Sequence, residues 1–288
     1  MPFTESELII NDNNSIYHLN LLPEDIADTI FTVGDPDRVP QVSKYFDSIE
    51  LRKQKREFVT HTGYIGKNRV SVISSGMSTD NIDIFLNELD ALVNIDFHTR
   101  TTKPVLRSLK IIRIGTAGGL QPDVPLDSMI VSKYGIGLDG LGNFYQLSHS
   151  ADEINLQQAF VQHFENNPAL NIYTTTANEN LFTALAKVFQ PGITVTAGGF
   201  YGPQGRVLRA QPYIPNLVEK LQSFSWNNEK IINFEMETAG IFAMGSLLGH
   251  QCSSVCAIIA NRCTQQFSKN IPNTVDKMIQ AVLETLCK

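Results

Sequence analysis

Apolar positions along the chain follow two periods. Short, largely β-branched runs stand at 29–33 (TIFTV), 111–114 (IIRI), 128–132 (SMIVS), 171–175, 192–197 and 255–260. They are too short for helices and predict strands of a largely buried sheet. Two further segments, 57–66 (EFVTHTGYIG) and 69–75 (RVSVISS), predict a hairpin turning at Lys67-Asn68. Helical spacing governs Val39, Val42 and Tyr45 after Pro36, then Ile82, Phe85, Leu86, Leu89 and Val93, with Thr79 or Asp80 as cap. Residues 152–164 predict another helix. Val275, Met278, Ile279, Val282, Leu283 and Leu286 predict an amphipathic one near the C-terminus. The polar stretch 94–108 reads as a connection, and the Gly-rich 135–142 and 198–211 (GGFYGPQGRVLRAQ) as loops. Residues 1–28 are polar and Asn-rich and read as an arm. The alternation predicts one α/β domain over 29–288.

Composition narrows the function classes. The chain has 288 residues, 42% hydrophobic and 18% charged, with a formal charge of −6. A net acidic chain argues against a general binder of nucleic acid or anionic membranes, so any anion site is local. The N-terminus has no basic region followed by an apolar segment, and no run approaches 18 apolar residues. A cytoplasmic protein is expected. Cys252, Cys256, Cys263 and Cys287 lack CxxC spacing and read as reduced thiols. His61, His98, His149, His163 and His250 show no ligand spacing, so no metal is expected. The 135–142 cluster lacks the GxGxxG pattern of a dinucleotide site.

Candidate chemistry begins at 111–120 (IIRIGTAGGL), where Arg113 interrupts a strand that is otherwise apolar. A desolvated guanidinium costs several kcal/mol unless an anion meets it. The strand is expected to turn at Gly115, with Thr116 and the glycines forming an oxyanion pocket. A structural Asp or Glu beside an ordinary turn satisfies Arg113 equally well, and the residues alone leave both readings open. Arg38 likewise follows a strand and Gly34, although in isolation it reads as a solvated charge. Glu235 and Glu237 lie in a segment, 231–248, that is apolar almost all round. Neither belongs there without a partner. On a strand end the two share a face, and on a helix they diverge.

In order, GDPDR (34–38), KREF (55–58), RIGTAGG (113–119), FYGPQGR (200–206) and NFEMETAG (233–240) resemble the nucleoside phosphorylase-I family. The likeness runs from about His18 to the last helix, and FYxxQxR resembles the branch acting on uridine. It implies an α/β fold in one domain, with a central mixed, partly barrel-like β-sheet flanked by helices. It also implies reversible phosphorolysis of uridine to uracil and ribose 1-phosphate. By resemblance Gly34, Arg38, Arg113 and Thr116 bind phosphate, together with Arg56 lent by a neighbouring subunit. Met236 and Glu237 hold the ribose, His18 reaches the 5′-hydroxyl of the partner's nucleoside, Gln204 and Arg206 read the uracil edge, and Phe200 packs near the base. Arg113, Glu237, Gln204 and Arg206 carry the catalytic roles.

The implied chemistry needs phosphate as co-substrate and no cofactor. The segment after Gly76, MSTDNID, lacks the Gly-rich sequence that serves a monovalent-cation (K+) site in bacterial relatives, while Glu57 is present. Ala117 stands where relatives often carry a hydroxyl. A homodimer or dimer-based hexamer with shared sites is expected. The rival readings are another nucleoside phosphorylase, a hydrolytic nucleosidase on the same fold, or a non-catalytic nucleoside or phosphate binder. Purine members of the family follow the late buried strand with an aspartate. Here that point reads Ala260-Asn261-Arg262, which predicts no activity on inosine.

Overall fold

The computed structural model describes residues 2–287. Strand β1 (Thr29–Val33) lies where TIFTV predicts it, and a 3-10 turn leads into the short helix α1 (Val39–Ser43). There follow β2 (Ser48–Lys55), β3 (Phe58–Ile65), β4 (Asn68–Ser74) and the helix α2 (Thr79–Asn94). A small hairpin, β5 (Ile95–Asp96) with β6 (Thr101–Thr102), precedes the long β7 (Lys110–Gly119). Next come β8 (Met129–Gly137), α3 (Ala151–His163), β9 (Tyr173–Thr176), α4 (Glu179–Leu185) and β10 (Gln190–Thr196). The chain ends with α5 (Leu217–Ser223), β11 (Ser225–Trp226), β12 (Glu229–Glu235), α6 (Thr238–Leu247), β13 (Gln251–Asn261), β14 (Gln266–Phe267) and α7 (Ile271–Cys287).

One strand, β7, joins two halves of the sheet. Its first half pairs in parallel with β1, which continues through β4, β3 and β2 as an open wing. On its other side it pairs with β13 along its whole length. Beyond β13 the order β8, β10, β12 leads back to β7, where Gly118 and Gly119 pair antiparallel with Phe234 and Asn233. Five strands therefore close into a barrel, which bears out the partly barrel-like mixed sheet. At the closing point Gly118 packs directly under the Phe234 ring, where a Cβ would stand 3.4 Å from it, in ordinary contact.

Helices cover the sheet as their apolar faces dictate. The buried face of α7, Val275, Met278, Ile279, Val282 and Leu283, packs with α4 residues Leu181 and Leu185 and with sheet residues Ile112, Ile114 and Val255. Each of these large side chains contributes about 1.5–3 kcal/mol when fully buried. On the opposite face α2 and α6 share a core of Phe85, Leu86, Leu89, Ile241, Phe242 and Met244. α3 and α5 pack outside the barrel through Leu156, Phe160, Leu217 and Leu221.

Several expectations need correction. β7 does not turn at Gly115 but runs on to Gly119, because pairing with β13 continues through Gly115, Thr116 and Ala117. β8 extends through Gly135 to Gly137, so the first three residues of the expected 135–142 loop are strand, paired with β9 and β10. The β3–β4 turn is Gly66-Lys67, and the cap of α2 is Ser78, not Thr79 or Asp80. The stretch 94–108 contains the β5–β6 hairpin. The 1–28 arm is polar in composition yet buries Leu8, Ile16, Leu19, Leu21 and Ile26 in the α2–α6 core.

Candidate active site

A pocket of about 680 Å³ opens where β1, β7, β12 and β13 end. Its floor is Arg113, 5% exposed. The side chain folds back over Gly115, where a Cβ would stand 1.8 Å from Nη1. That bare position is what lets a strand arginine lie along its own strand. Nη2 pairs with Glu237 Oε2 and lies 3.2 Å from Glu235 Oε2, while Nη1 donates to Cys256 Sγ at 2.9 Å. The anion expected at Arg113 is thus met within the chain by two glutamates. Burial opposes its charge, but the carboxylates outweigh that cost and hold its pKa above the ordinary value.

The two glutamates divide their work. Glu235, the last residue of β12, accepts the Thr196 hydroxyl at 2.6 Å and the backbone N–H groups of Glu237 and Thr238. It therefore caps the buried start of α6. Glu237 turns into the pocket, where Ser78 N donates to its Oε1 at 2.7 Å. Burial pushes its pKa up, Glu235 adds to that, and Arg113 and the Ser78 N–H oppose it. The break between β12, which ends at Glu235, and α6, which starts at Thr238, is what lets both carboxylates meet one guanidinium.

Arg38 lies beside Arg113, and its Nη1 reaches the Ile114 carbonyl at 3.4 Å. Burial and then the Arg113 charge lower its pKa. Among the described residues it forms no ion pair with a carboxylate. Gly34, Thr116 and Met236 line the same space. A second cation held so close to the first, without a carboxylate of its own, makes this corner receptive to an anion.

At the other end the irregular segment after β10 supplies Phe200, Gln204 and Arg206. Arg206 stacks 3.7 Å from the Phe200 ring centre and donates to the Phe200 carbonyl at 2.6 Å and to Gln204 Oε1 at 2.5 Å. Gln204 is 4% exposed and Phe200 50%. Burial and then Arg262 pull the Arg206 pKa down to about 10.

Nine predicted site residues thus meet in one pocket: Gly34, Arg38, Arg113, Thr116, Phe200, Gln204, Arg206, Met236 and Glu237. Two do not line it. Arg56 is exposed in the two-residue turn between β2 and β3, and His18 pairs through Nδ1 with Glu88 at 2.6 Å. Sequence reasoning gave no role to Cys256, Ser78 or Arg262. Arg262 donates to the carbonyls of Gln204 and Gly205 at 3.0 and 3.2 Å, bracing the base-side loop. Its place just after a buried strand, as with Arg38, was the available signal.

A family model described as "Phosphorylase superfamily" matches residues 28–287. Uridine phosphorylase of Thermococcus kodakarensis is 28% identical over 271 residues, covering 93% of this chain and 85% of that protein. Uridine phosphorylase of Haemophilus influenzae is 27% identical, covering 94% and 96%. The crystal structure of a Trypanosoma brucei nucleoside phosphorylase, described as showing uridine phosphorylase activity, superposes with a TM-score of 0.89 at 30% identity. That match covers 97% of this chain and 99% of the other.

Proposed function

The chain belongs to the phosphorylase superfamily, and from that premise we infer that it catalyses reversible phosphorolysis of uridine to uracil and ribose 1-phosphate. The observation that carries this reading is Arg38, a half-buried cation that forms no ion pair with a carboxylate among the described residues, beside Arg113 and Glu237 in one pocket. Phosphate held by Arg38, Arg113, Thr116 and the backbone near Gly34 attacks the anomeric carbon as the bond to uracil breaks. Glu237, with the Met236 backbone, accepts from and orients the ribose hydroxyls. Charge developing on the departing uracil is met by Gln204 and Arg206, fixed donors that need no reorganisation. No metal or organic cofactor enters these steps. Glu57 lines the pocket beside Gly76 and Asn81, where an accessory K+ would sit.

The base end favours a pyrimidine. Uracil offers acceptors at O2 and O4 and a donor at N3, matching one amide and one guanidinium. Cytosine sets an amino donor against Arg206 and is expected to be rejected. Asn261 has no group to spare for a purine. Its Nδ2 donates to the carbonyls of Gln121 and Val124, and its Oδ1 accepts from the N–H groups of Cys263 and Thr264.

Arg56 and His18 point to a shared site. Lying away from their own chain's pocket, both suit a homodimer, or a hexamer of dimers, in which each subunit completes its partner's phosphate and 5′-hydroxyl contacts. Co-expressing Arg56→Ala with Glu237→Ala tests this. Mixed dimers hold one intact site, and with random pairing total activity recovers to roughly a quarter of wild type. Confirmed heterodimers as inactive as their parents refute the sharing. The enzyme is placed in the cytoplasm, where nucleoside and free phosphate meet.

The activity itself is tested by uridine consumption with and without phosphate. Phosphate-dependent cleavage with ribose 1-phosphate as product is expected. Equal turnover in phosphate-free buffer identifies a hydrolase, and binding without turnover a sensor.

A further inference from the structure

Among the described non-glycine residues with positive φ, Ser78 has the largest. Its φ is 75° and its ψ 161°. The other non-glycine residues with positive φ have values of 50–67°, the ordinary left-handed range. A φ near +75° with ψ near 160° belongs to a region that essentially only glycine occupies, and a side chain there is strained. Serine is a preferred helix cap because its hydroxyl can bind the first turn. Here it precedes α2 and makes no such side-chain bond. What it does contribute is its N–H, which donates to Glu237 Oε1 at 2.7 Å, while Arg113 holds Oε2.

The neighbours explain how the strain is held. On one side Ser75 N donates to the Val33 carbonyl at 2.8 Å, tying the turn to β1. Gly76, at φ 74°, is hemmed in: a Cβ there would lie 2.3 Å from Asn81 Nδ2 and 3.0 Å from Glu57 Cγ. Asn81 Nδ2 in turn donates to the Met77 carbonyl at 3.2 Å. On the other side Thr79 is buried against α6, where a Cβ on Gly240 would meet Thr79 Cγ2 at 2.7 Å. Burial raises the pKa of Asp139, and the Thr79 hydroxyl is among the groups that oppose that shift. Asp139 is itself fixed by the Leu141 N–H at 2.9 Å and the Tyr173 hydroxyl at 2.9 and 3.0 Å. Both flanks are pinned, and Ser78 takes the dihedrals that remain.

We propose that Ser78 is a positioning residue for Glu237: packing on both sides holds it in a glycine-type conformation, and in that conformation its N–H fixes the carboxylate oxygen that Arg113 leaves free. The serine side chain makes no capping hydrogen bond of its own, and the strained conformation serves the orientation of the backbone N–H. The kinetic part of the inference rests on Glu237 as the ribose-binding carboxylate, and the stability part does not.

Two substitutions at the same position separate the terms. Glycine removes the strain and keeps the N–H, so Ser78→Gly is expected to raise the Tm by about 2–4 °C. Valine is β-branched and tolerates the conformation least. Ser78→Val is expected to lower the Tm and swing the N–H away from Glu237. Its kcat/KM for uridine then falls at least about tenfold below that of Ser78→Gly, with the KM for phosphate the same in both.

The groups facing Glu237 are Arg113 on β7, Glu235 at the end of β12, Arg38 after β1, Cys256 on β13 and the Ser78 N–H. Losing the last of these raises the proton affinity of Glu237, so the acid limb of kcat/KM in Ser78→Val moves to higher pH. A purely structural role for Ser78 would leave that limb in place. If Ser78→Val yields no folded protein, Ser78→Thr, also β-branched, carries the same comparison.

A Tm for Ser78→Gly at or below the parent's overturns the strain. Equal kcat/KM and acid limbs in the two variants overturn the positioning. A folded parent that leaves uridine intact overturns the activity reading and the kinetic arm with it, while the Tm of Ser78→Gly still decides the strain.

Discussion

Arg113, Glu235 and Glu237 enter the pocket from β7 and from the junction of β12 with α6, whereas Gln204, Arg206 and Phe200 stand on a long connection between β10 and α5 whose one regular turn is the 3-10 turn Gly202–Gln204. The first group is nearly sealed and interlocked through ion pairs. In the second, Gln204 is covered, but Arg206 and Phe200 remain partly open and hold one another by stacking and short polar contacts. The difference separates two tasks. Gripping phosphate and ribose asks for charges fixed against desolvation, while reading a base asks for groups whose identity can change without disturbing the core.

The contrast breaks most visibly at Arg113. Arg113→Ala strands two buried carboxylates, so kcat/KM is expected to fall about 10²–10³-fold, with a stability loss of about 3–5 kcal/mol in denaturant unfolding. A variant that loses activity without losing stability would show that the two ends are built alike. On the loop side, Arg206→Ala is expected to cost about 10²-fold in kcat/KM for uridine and to narrow the preference for uridine over cytidine. Its Tm is expected to change by no more than about 1–2 °C, because surface-loop changes stay near ±0.5 kcal/mol.

A pH profile sharpens the comparison further. Burial raises the pKa of Glu237, and in the proposed reaction the carboxylate is the form that accepts from ribose. Uridine kcat/KM is therefore expected to fall about tenfold per pH unit below a pKa that lies above the ordinary glutamate value of 4.5. Glu237→Gln is expected to remove this limb along with most of the activity. The smallest effect belongs to the brace. Arg262→Ala frees the carbonyls of Gln204 and Gly205 and is expected to raise the KM for uridine about fivefold, leaving that for phosphate unchanged.

The sealed half was also the more legible half in the sequence. Arg113 in an isoleucine strand and two glutamates in an apolar run announce themselves, because burial of charge demands partners. The sequence did not say that those partners would be each other, nor which glutamate would cap α6. Both facts depend on β7 and β12 meeting across the barrel closure, a contact between residues far apart in the chain. The loop at 198–211 was recognisable from glycine and proline alone. Helices α4 and α5 were not, since each spans only seven residues and shows too few turns for a helical period to emerge. Ser78 was invisible for another reason: its role lies in a backbone dihedral imposed by neighbours on β1 and α6, which no local pattern of residue types encodes.

The closed ring of β7, β13, β8, β10 and β12 restricts how this protein can change length. In a ring, an added residue has no free edge at which to slip. It has to be taken up as a local irregularity, as already occurs at Gly192/Ile193 against β8, Ile193/Thr194 against β12 and Ile258/Ala260 against β7. One more residue in any ring strand would shift its neighbours' register and move Arg113, Glu235 and Glu237 relative to one another. The 94–108 stretch, with its β5–β6 hairpin, lies outside the hoop and transmits no such shift. Lineages of this enzyme are accordingly free to lengthen there, and a gene library with insertions at every position should return active members from that window and from almost nowhere in the five strands.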